Sequence, residues 1–398
     1  MQSEPLVTDL VGVMAVITAI PVFFLWLERT TRWKIFDVLP AIIWIFITPI
    51  LLSNLSLIGL PVSRDVIPRS SPVYDVFKSF AVPLFIVLML LDIDVREALR
   101  VAWRGAVLMV VGSVGIVIGA AVSFYLFRAG LPPDAWSGFG ALAGSWIGGT
   151  GNLAAVAESL ATPEAFVGVV VVVDNLVYLV YFPIILVAKR WAGWFNRFTR
   201  VSPQEIDLIA ETTKTVQRKL HQIHFRDVLT LLAFGFAAIL AARKIAAWLP
   251  ELPPVLTAST WSMLLVTTIG IALSATALRK LPGTEPLALT FVYVYMTMIG
   301  ASADLSQLGG AQWFLAAGFV CILVHLGFIA VGARLLRLDV SMAAVASVAA
   351  VGGAASAPVA AGYHREELVP VSIMLALLGY GLGNYLGVAT AYLCHLLR

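Results

Sequence analysis

Apolar residues run along this chain in long blocks, not in the short stripes of a soluble fold. Twelve blocks lie near 9–28, 36–58, 73–92, 105–127, 137–160, 165–188, 228–248, 257–278, 285–303, 312–333, 341–361 and 367–396. Stretches such as 10–27, 107–127, 166–188, 313–332 and 369–393 approach or exceed the roughly 20 residues a helix needs to cross a bilayer. One such block could be a buried core helix, but a dozen in series exceed any soluble core. Backbone in lipid must satisfy its own hydrogen bonds, so the blocks predict helices.

The one long polar stretch, about 190–227, separates the sixth block from the seventh. Within it Ser202-Pro203-Gln204-Glu205 has the form of a helix start, with an N-cap, Pro at N1 and Glu at N3. Ile206, Ile209, Val216 and Leu220 then fall on one face. Acids (Glu205, Asp207, Glu211) precede bases (Lys214, Arg218, Lys219), matching the helix dipole. The stretch reads as a cytoplasmic amphipathic helix joining two halves, 1–189 and 228–398.

The halves look alike. Ile147-Gly148-Gly149-Thr150-Gly151-Asn152-Leu153-Ala154-Ala155-Val156-Ala157 resembles Val351-Gly352-Gly353-Ala354-Ala355-Ser356-Ala357-Pro358-Val359-Ala360-Ala361, at an offset of 204 residues. Leu91-Asp92-Ile93-Asp94-Val95-Arg96-Glu97 resembles Ala301-Ser302-Ala303-Asp304-Leu305-Ser306-Gln307, at an offset of 210. Two anchors in one order predict an internal repeat. If blocks 137–160 and 341–361 are re-entrant hairpins, each half has five crossings and the repeats are inverted. With the N-terminus outside, 19 of the 26 Lys and Arg then lie inside. Twelve full crossings give at best 17 inside. The positive-inside rule favours the hairpins. The expected fold is an all-α polytopic membrane protein of two inverted-topology repeats, each with five transmembrane helices and one broken-helix hairpin.

Composition agrees: 60% of residues are hydrophobic and 12% charged, about half the charge of a soluble chain. The net charge of +3 gives no footprint for nucleic acid. Cys321 and Cys394 both sit in apolar blocks and suggest neither a disulfide framework nor a metal knuckle. The first eight residues hold no Lys or Arg, so the first block reads as a retained helix, not a cleaved leader.

Three groups of residues suggest chemistry. Gly148, Gly149 and Gly151 fall within four positions, and each weakens a helix by about 1 kcal/mol relative to Ala. A break there is tolerated at membrane depth only where protein or a cavity surrounds it. Asn152 or Thr150 would cap a new helix through 153–160, and Ser356 would do so in the second half. Each cap sets a positive helix end near the midplane, as in inverted-repeat carriers. The alternative is close packing through small residues. Asp174-Asn175 sits amid 169–186, where an unpaired acid is a functional hypothesis by default. Tyr178 and Tyr181 come after it on much the same face. The matching helix carries Gly379-Tyr380-Gly381-Leu382-Gly383-Asn384, polar but without the acid. Asp94 with Glu97, and Asp304 with Gln307, read as capping boxes. Glu158 is expected near the mouth of the first hairpin. His221 and His224 read as a solvated face, and His325 as a packing hydrogen bond or a proton relay. No Walker motif, nucleophile elbow or zinc signature occurs in the sequence.

Gly144-Ser145-Trp146-Ile147-Gly148-Gly149-Thr150-Gly151-Asn152 followed by Val173-Asp174-Asn175 resembles the bacterial membrane family labelled domain of unknown function 819, over nearly the whole chain. More distantly, the paired Gly-Gly segments are similar to those of the 2-hydroxycarboxylate and glutamate:sodium symporters. The Asp-rich turns are similar to those of bile-acid:sodium symporters. The resemblance implies an elevator-like carrier of the bacterial inner membrane, a homodimer through a scaffold domain. It implies solute binding near Gly148, Gly149, Thr150, Gly151, Asn152, Gly352, Gly353 and Ser356. The second half departs from the pattern, since Ala354-Ala355 follows Gly353. Neither tip has a buried Arg, which argues against a di- or tricarboxylate. The expectation is a Na⁺ or H⁺ symporter for a small organic solute such as a monocarboxylate or amino acid. Asp174 and Asn175 would bind the coupling ion, Tyr178 and Asn384 would add to the solute site, and no cofactor is needed. The alternatives are a cation/proton antiporter and, from another class, an intramembrane enzyme or sensor.

Overall fold

Apolar blocks that cannot share backbone hydrogen bonds with lipid close them internally, and the computed structural model is accordingly helical. It describes residues 4–31, 33, 35–36, 41–56, 64–91, 93, 95–202, 222–303 and 310–398. The first half contains α1 (Leu10–Thr31), α2 (Ala41–Ser53), α3 (Pro72–Leu91), α4 (Val95–Phe127), α5 (Ala135–Gly148), α6 (Thr150–Ser159) and α7 (Glu164–Val187). A short α8 (Ala192–Thr199) comes next. The second half contains α9 (Phe225–Ala246), α10 (Ala258–Ser274), α11 (Thr284–Ser302), α12 (Ala311–Leu336), α13 (Val340–Val351), α14 (Gly353–His364) and α15 (Val369–Leu396). Among the described residues there is no strand, only an isolated bridge between Leu252 and Leu256. Seven helices among them are long and apolar enough to cross a membrane, so the chain is an all-α polytopic membrane protein.

The fourth helices of the two halves, α4 and α12, pack tightly and run antiparallel. Gly112 faces Ile329 and His325, Gly115 faces Phe328, and Gly119 faces Cys321. A methyl group on Gly119 would lie 2.8 Å from the Cys321 carbonyl oxygen. Three glycines on one face let the backbones touch, as small residues do between membrane helices. At the far end Gly130 meets Trp313, the start of α12.

At both glycine segments the chain turns back on itself. In the first, Gly148 lies against Asn152, Gly144 against Val156 and Gly140 against Leu160. Such pairs require α5 and α6 to run side by side in opposite directions. In the second, Asp339 before α13 forms an ion pair with Arg365 after α14 at 3.5 Å. Two 12-residue helices laid end to end would separate these residues by about 36 Å. Each hairpin starts just after the C-terminal end of α4 or α12. Because those helices are antiparallel, the hairpins enter from opposite ends and their tips meet.

The first hairpin lies flush on α15. Gly379, Gly383 and Gly387, one per turn, face the carbonyl oxygens of Ile147, Gly144 and Gly140. A methyl group at Gly383 would fall 3.0 Å from the Gly144 oxygen and 2.5 Å from Asn152 Nδ2.

Several sequence expectations are corrected in detail. Asn152, Thr150 and Ser356 do not cap their helices. α6 starts at Thr150 after Gly149, and α14 at Gly353 after Gly352, with no side-chain cap bond on either. A helix that begins directly at the turn needs no separate cap residue further along. In the block 36–58 a helix is described over Ala41–Ser53. There Asn54 Nδ2 donates to the Ile50 and Ala303 carbonyls at 2.9 Å each, tying α2 to the end of α11. α9 begins at Phe225, inside the stretch assigned to the linker. The predicted linker helix after Ser202, His221, the acids Asp92, Asp94 and Asp304, and Gln307 lie outside the described residues. Nothing is described of the Glu97 side chain.

Two tests come from this packing. Asp339→Cys with Arg365→Cys should cross-link within one chain with a short dithiol reagent, and two separate spans would leave them uncoupled. Gly383→Leu should lower the thermal midpoint of the detergent-solubilised protein by the equivalent of about 3 kcal/mol. Gly327→Leu, at a position with open space within 4 Å, should leave it near wild type.

Candidate functional site

Where the tips meet, the backbone adopts conformations that favour glycine. Gly149 has φ +80° and ψ −178°, a region essentially closed to other residues. Gly353 has φ +61°. A methyl built on Gly353 would lie 3.8 Å from the Gly149 Cα, so the two turns are in contact. The Tyr380 ring on α15 packs against both, 3.4 Å from the corresponding position on Gly149 and 3.9 Å from that on Gly353.

The remaining first-tip residues are held from several sides. Gly151 packs on Met89 and Phe85 of α3. Asn152 is buried, and its Nδ2 donates to the Tyr380 carbonyl at 2.9 Å, bridging α6 to α15. Thr150 is half-buried at the turn. At the second tip the Tyr178 hydroxyl lies against Gly352, 2.6 Å from where a methyl would sit, and beside Ser356.

Asp174 reaches the first hairpin one turn before its tip. Its Oδ2 accepts from Ser145 Oγ at 2.8 Å and its Oδ1 from Trp146 Nε1 at 2.6 Å. The carboxylate therefore binds α7 to α5 through neutral donors. Two other residues turn elsewhere. Asn175 Nδ2 donates to Val171 of its own helix at 2.7 Å. Asn384 Nδ2 donates to Thr267 Oγ1 on α10 at 2.8 Å. The structure thus brings Gly148–Asn152, Gly352, Gly353, Ser356 and Tyr178 to one place, sets Asp174 one turn away, and leaves Asn175 and Asn384 directed at α7 and α10. Among the described residues no group of three or more His, Cys, Asp or Glu comes together as metal ligands.

Sequence reasoning did not place Ser145 and Trp146 on Asp174, nor Tyr380 between the tips. Ser145 and Trp146 are five and four residues before the turn, a spacing that could have flagged them. At the base of the first hairpin Glu158 accepts from Tyr295 on α11 at 3.4 Å, while Glu164 pairs with Lys78 on α3.

A family model described as a protein of unknown function, DUF819, matches residues 14–397. The chain is 30% identical over 335 residues to a Bacillus subtilis (strain 168) protein described as uncharacterized membrane protein YjcL, covering 81% of this chain and 84% of that one. The chain belongs to the DUF819 family of multi-pass membrane proteins.

Proposed function

We propose that this protein is an ion-coupled secondary transporter of the bacterial inner membrane, moving a small organic solute together with Na⁺ or H⁺. The observation that carries the reading is the contact of two broken-helix tips that enter from opposite ends. The N-termini of α6 and α14 both start there, and the carbonyls at the ends of α5 and α13 lose their helical partners nearby. Helix N-termini favour an anionic group, and freed carbonyls favour a cation. With Tyr, Asn and Ser as neighbours, a monocarboxylate or an amino acid suits the junction.

The packing supports inverted repeats. α4 and α12 occupy the same position in each half and are antiparallel, so an axis exchanging them lies across the helices. Other neighbours obey the same exchange: α2 with α11 and α10 with α3, α7 with α12 and α15 with α4. The hairpins break this symmetry. Ala155 and Ser159 on the first are 0% and 2% exposed, covered by α3, α10 and α11. The residues 204 positions later, Val359 and Tyr363, are 57% and 47% exposed. We take this as one of two states of an elevator-like cycle, with the second hairpin open to the cytoplasm. The scaffold is α1–α3 with α9–α11, and the outward faces of α1 and α9 supply a homodimer surface. In this reading the protein is a carrier and not an enzyme.

Asp174 is the group assigned to cation coupling, with Asn175 beside it. A cation/proton antiporter is the second reading, because the Asp174 carboxylate is held by Ser145 and Trp146 and not by a base. Ion exchange without any organic solute would distinguish it.

Calorimetry of Na⁺ binding at fixed pH should give a saturable heat with wild type that Asp174→Asn loses. Absence of Na⁺ binding in wild type removes sodium coupling and leaves the proton. Val359→Cys should react with a membrane-impermeant maleimide at least about tenfold faster than Ala155→Cys, and only from the cytoplasmic side. A cycling carrier should also expose Ala155→Cys slowly from the other side, whereas a fixed structure never does.

A further inference from the structure

His325, midway along α12, is fully buried and lies outside the hairpin junction. Its Nδ1 is 2.8 Å from the Gly112 carbonyl oxygen on α4. Its Nε2 is 2.8 Å from Ser347 Oγ on α13, the first arm of the second hairpin. Ser347 Oγ is in turn 2.6 Å from the Tyr181 hydroxyl on α7. The first arm of the second hairpin and three helices beside it, α4, α7 and α12, thus share one buried hydrogen-bonded chain.

The chemistry of the groups fixes the direction of each bond. A carbonyl oxygen only accepts, so Nδ1 carries the hydrogen. In the neutral ring Nε2 is then the acceptor. Ser347 donates its only hydrogen to Nε2, and its oxygen accepts from Tyr181. The chain therefore ends in a basic nitrogen with an aligned route of hydroxyls leading to it. At the outer end Tyr181 lies beside Tyr178, with ring centroids 5.9 Å apart, and the Tyr178 hydroxyl is at the second tip.

We propose that His325 is a proton-binding site, loaded from the hairpin junction through Tyr181 and Ser347. A proton arriving on the Tyr181 oxygen displaces the hydrogen already there onto Ser347. Ser347 passes its own hydrogen to Nε2. One proton enters, each hydroxyl retains one hydrogen, and His325 becomes an imidazolium that donates to Gly112 and Ser347. No heavy atom needs to move, but the Tyr181–Ser347 bond reverses, so the proton alters how the second hairpin is held to α7. The ring faces Gly112 from α4, Ser347 from α13 and Tyr181 from α7. Tyr181 is the titratable side chain among them. Cys321, one turn away on α12, donates to Ile116.

The site is independent chemically of how solute moves, but its place in a cycle rests on the transport reading. The test uses the full chain in lipid nanodiscs with ¹⁵N-labelled histidine, and protons alone as the probe. The His325 signal is identified by its loss in His325→Gln. Should that variant not fold, replacing His221, His224, His364 and His395 leaves it as the remaining signal. The expected result is an Nδ1–H tautomer that gains a second N–H on acidification. Tyr181→Phe, which keeps the ring, should slow proton exchange at Nε2 at least about tenfold. A ring that keeps one neutral tautomer between about pH 5 and 9 overturns the proposal, and so does unchanged exchange in Tyr181→Phe. Either failure is distinct from failure of the Na⁺ and labelling experiments, which concern the transport reading alone.

Discussion

An unpaired backbone amide or carbonyl away from water costs several kcal/mol, and this chain interrupts two buried helices, at Gly149 and at Gly352–Gly353. The rest of the architecture depends on covering those interruptions. Each break is folded into a hairpin, so that its second arm shields the first. Each tip is then placed against the other, with Tyr380 filling the space beside both. Entry from opposite ends lets two short hairpins seal one another where their tips meet. Gly149 is required because no side chain tolerates its backbone angles, and the small residues around it are required because the covering elements must come close.

The two halves solve the same problem with different residues. On α15, Gly379, Gly383 and Gly387 bring the helix axis down onto the carbonyls of the first hairpin. The positions 205 residues earlier on α7 are Asp174, Tyr178 and Phe182, and none of them is small. α7 therefore meets the second hairpin through hydroxyls and rings, with Tyr181 bonded to Ser347 and His364 Nε2 beside the Ile185 carbonyl at 3.0 Å. The first hairpin adds close backbone contact with α15 to its hydrogen bonds with Asp174 and through Asn152, whereas the second is held on α7 by hydroxyls and rings.

Much of this was legible in the sequence because it was written in composition. Block length gave the helices, and Gly-Gly pairs at a matched offset, Gly148-Gly149 and Gly352-Gly353, gave the breaks. The positive-inside rule weighed hairpins against full crossings by Lys and Arg alone. What was not legible depends on pairing across distance. Asp174 stood out as an intramembrane acid, but its partners Ser145 and Trp146 are ordinary residues of another helix. Asn54 tying α2 to Ala303 leaves no local signature at all. The expectation that Asn152 and Ser356 cap their helices failed for a different reason. Cap residues are recognised by their position before a helix, and these helices start at the glycines themselves. The spacings Gly112-Gly115-Gly119 and Gly379-Gly383-Gly387 were readable as packing faces, since both repeat at helical intervals.

In the elevator-like reading proposed above, α4–α7 with α12–α15 move as a core against α1–α3 with α9–α11, and much of the boundary between the two groups is apolar. Two apolar clefts of about 380 Å³ and 240 Å³ flank it. The first lies among Ile93, Ala106, Ile271 and Leu378, the second among Ile50, Ala303, Ala311 and Val173. Ala106 and Ala311 are equivalent at an offset of 205, as are Ile93 and Ala303 at 210, so the clefts are counterparts in the two halves. Apolar contact is non-directional, so surfaces lined by it resist sliding less than surfaces joined by hydrogen bonds. Directional contacts cross this boundary in two places: at the base of the first hairpin Lys78 holds Glu164, Tyr295 holds Glu158 and Thr260 holds the Ser159 carbonyl at 3.0 Å, and along α15 Asn384 holds Thr267 at 2.8 Å and Tyr385 meets Thr268 at 2.7 Å. The displacement in that reading therefore has to exchange two sets of directional contacts, one beside the first hairpin and one along α15, while the apolar clefts slide without any such exchange.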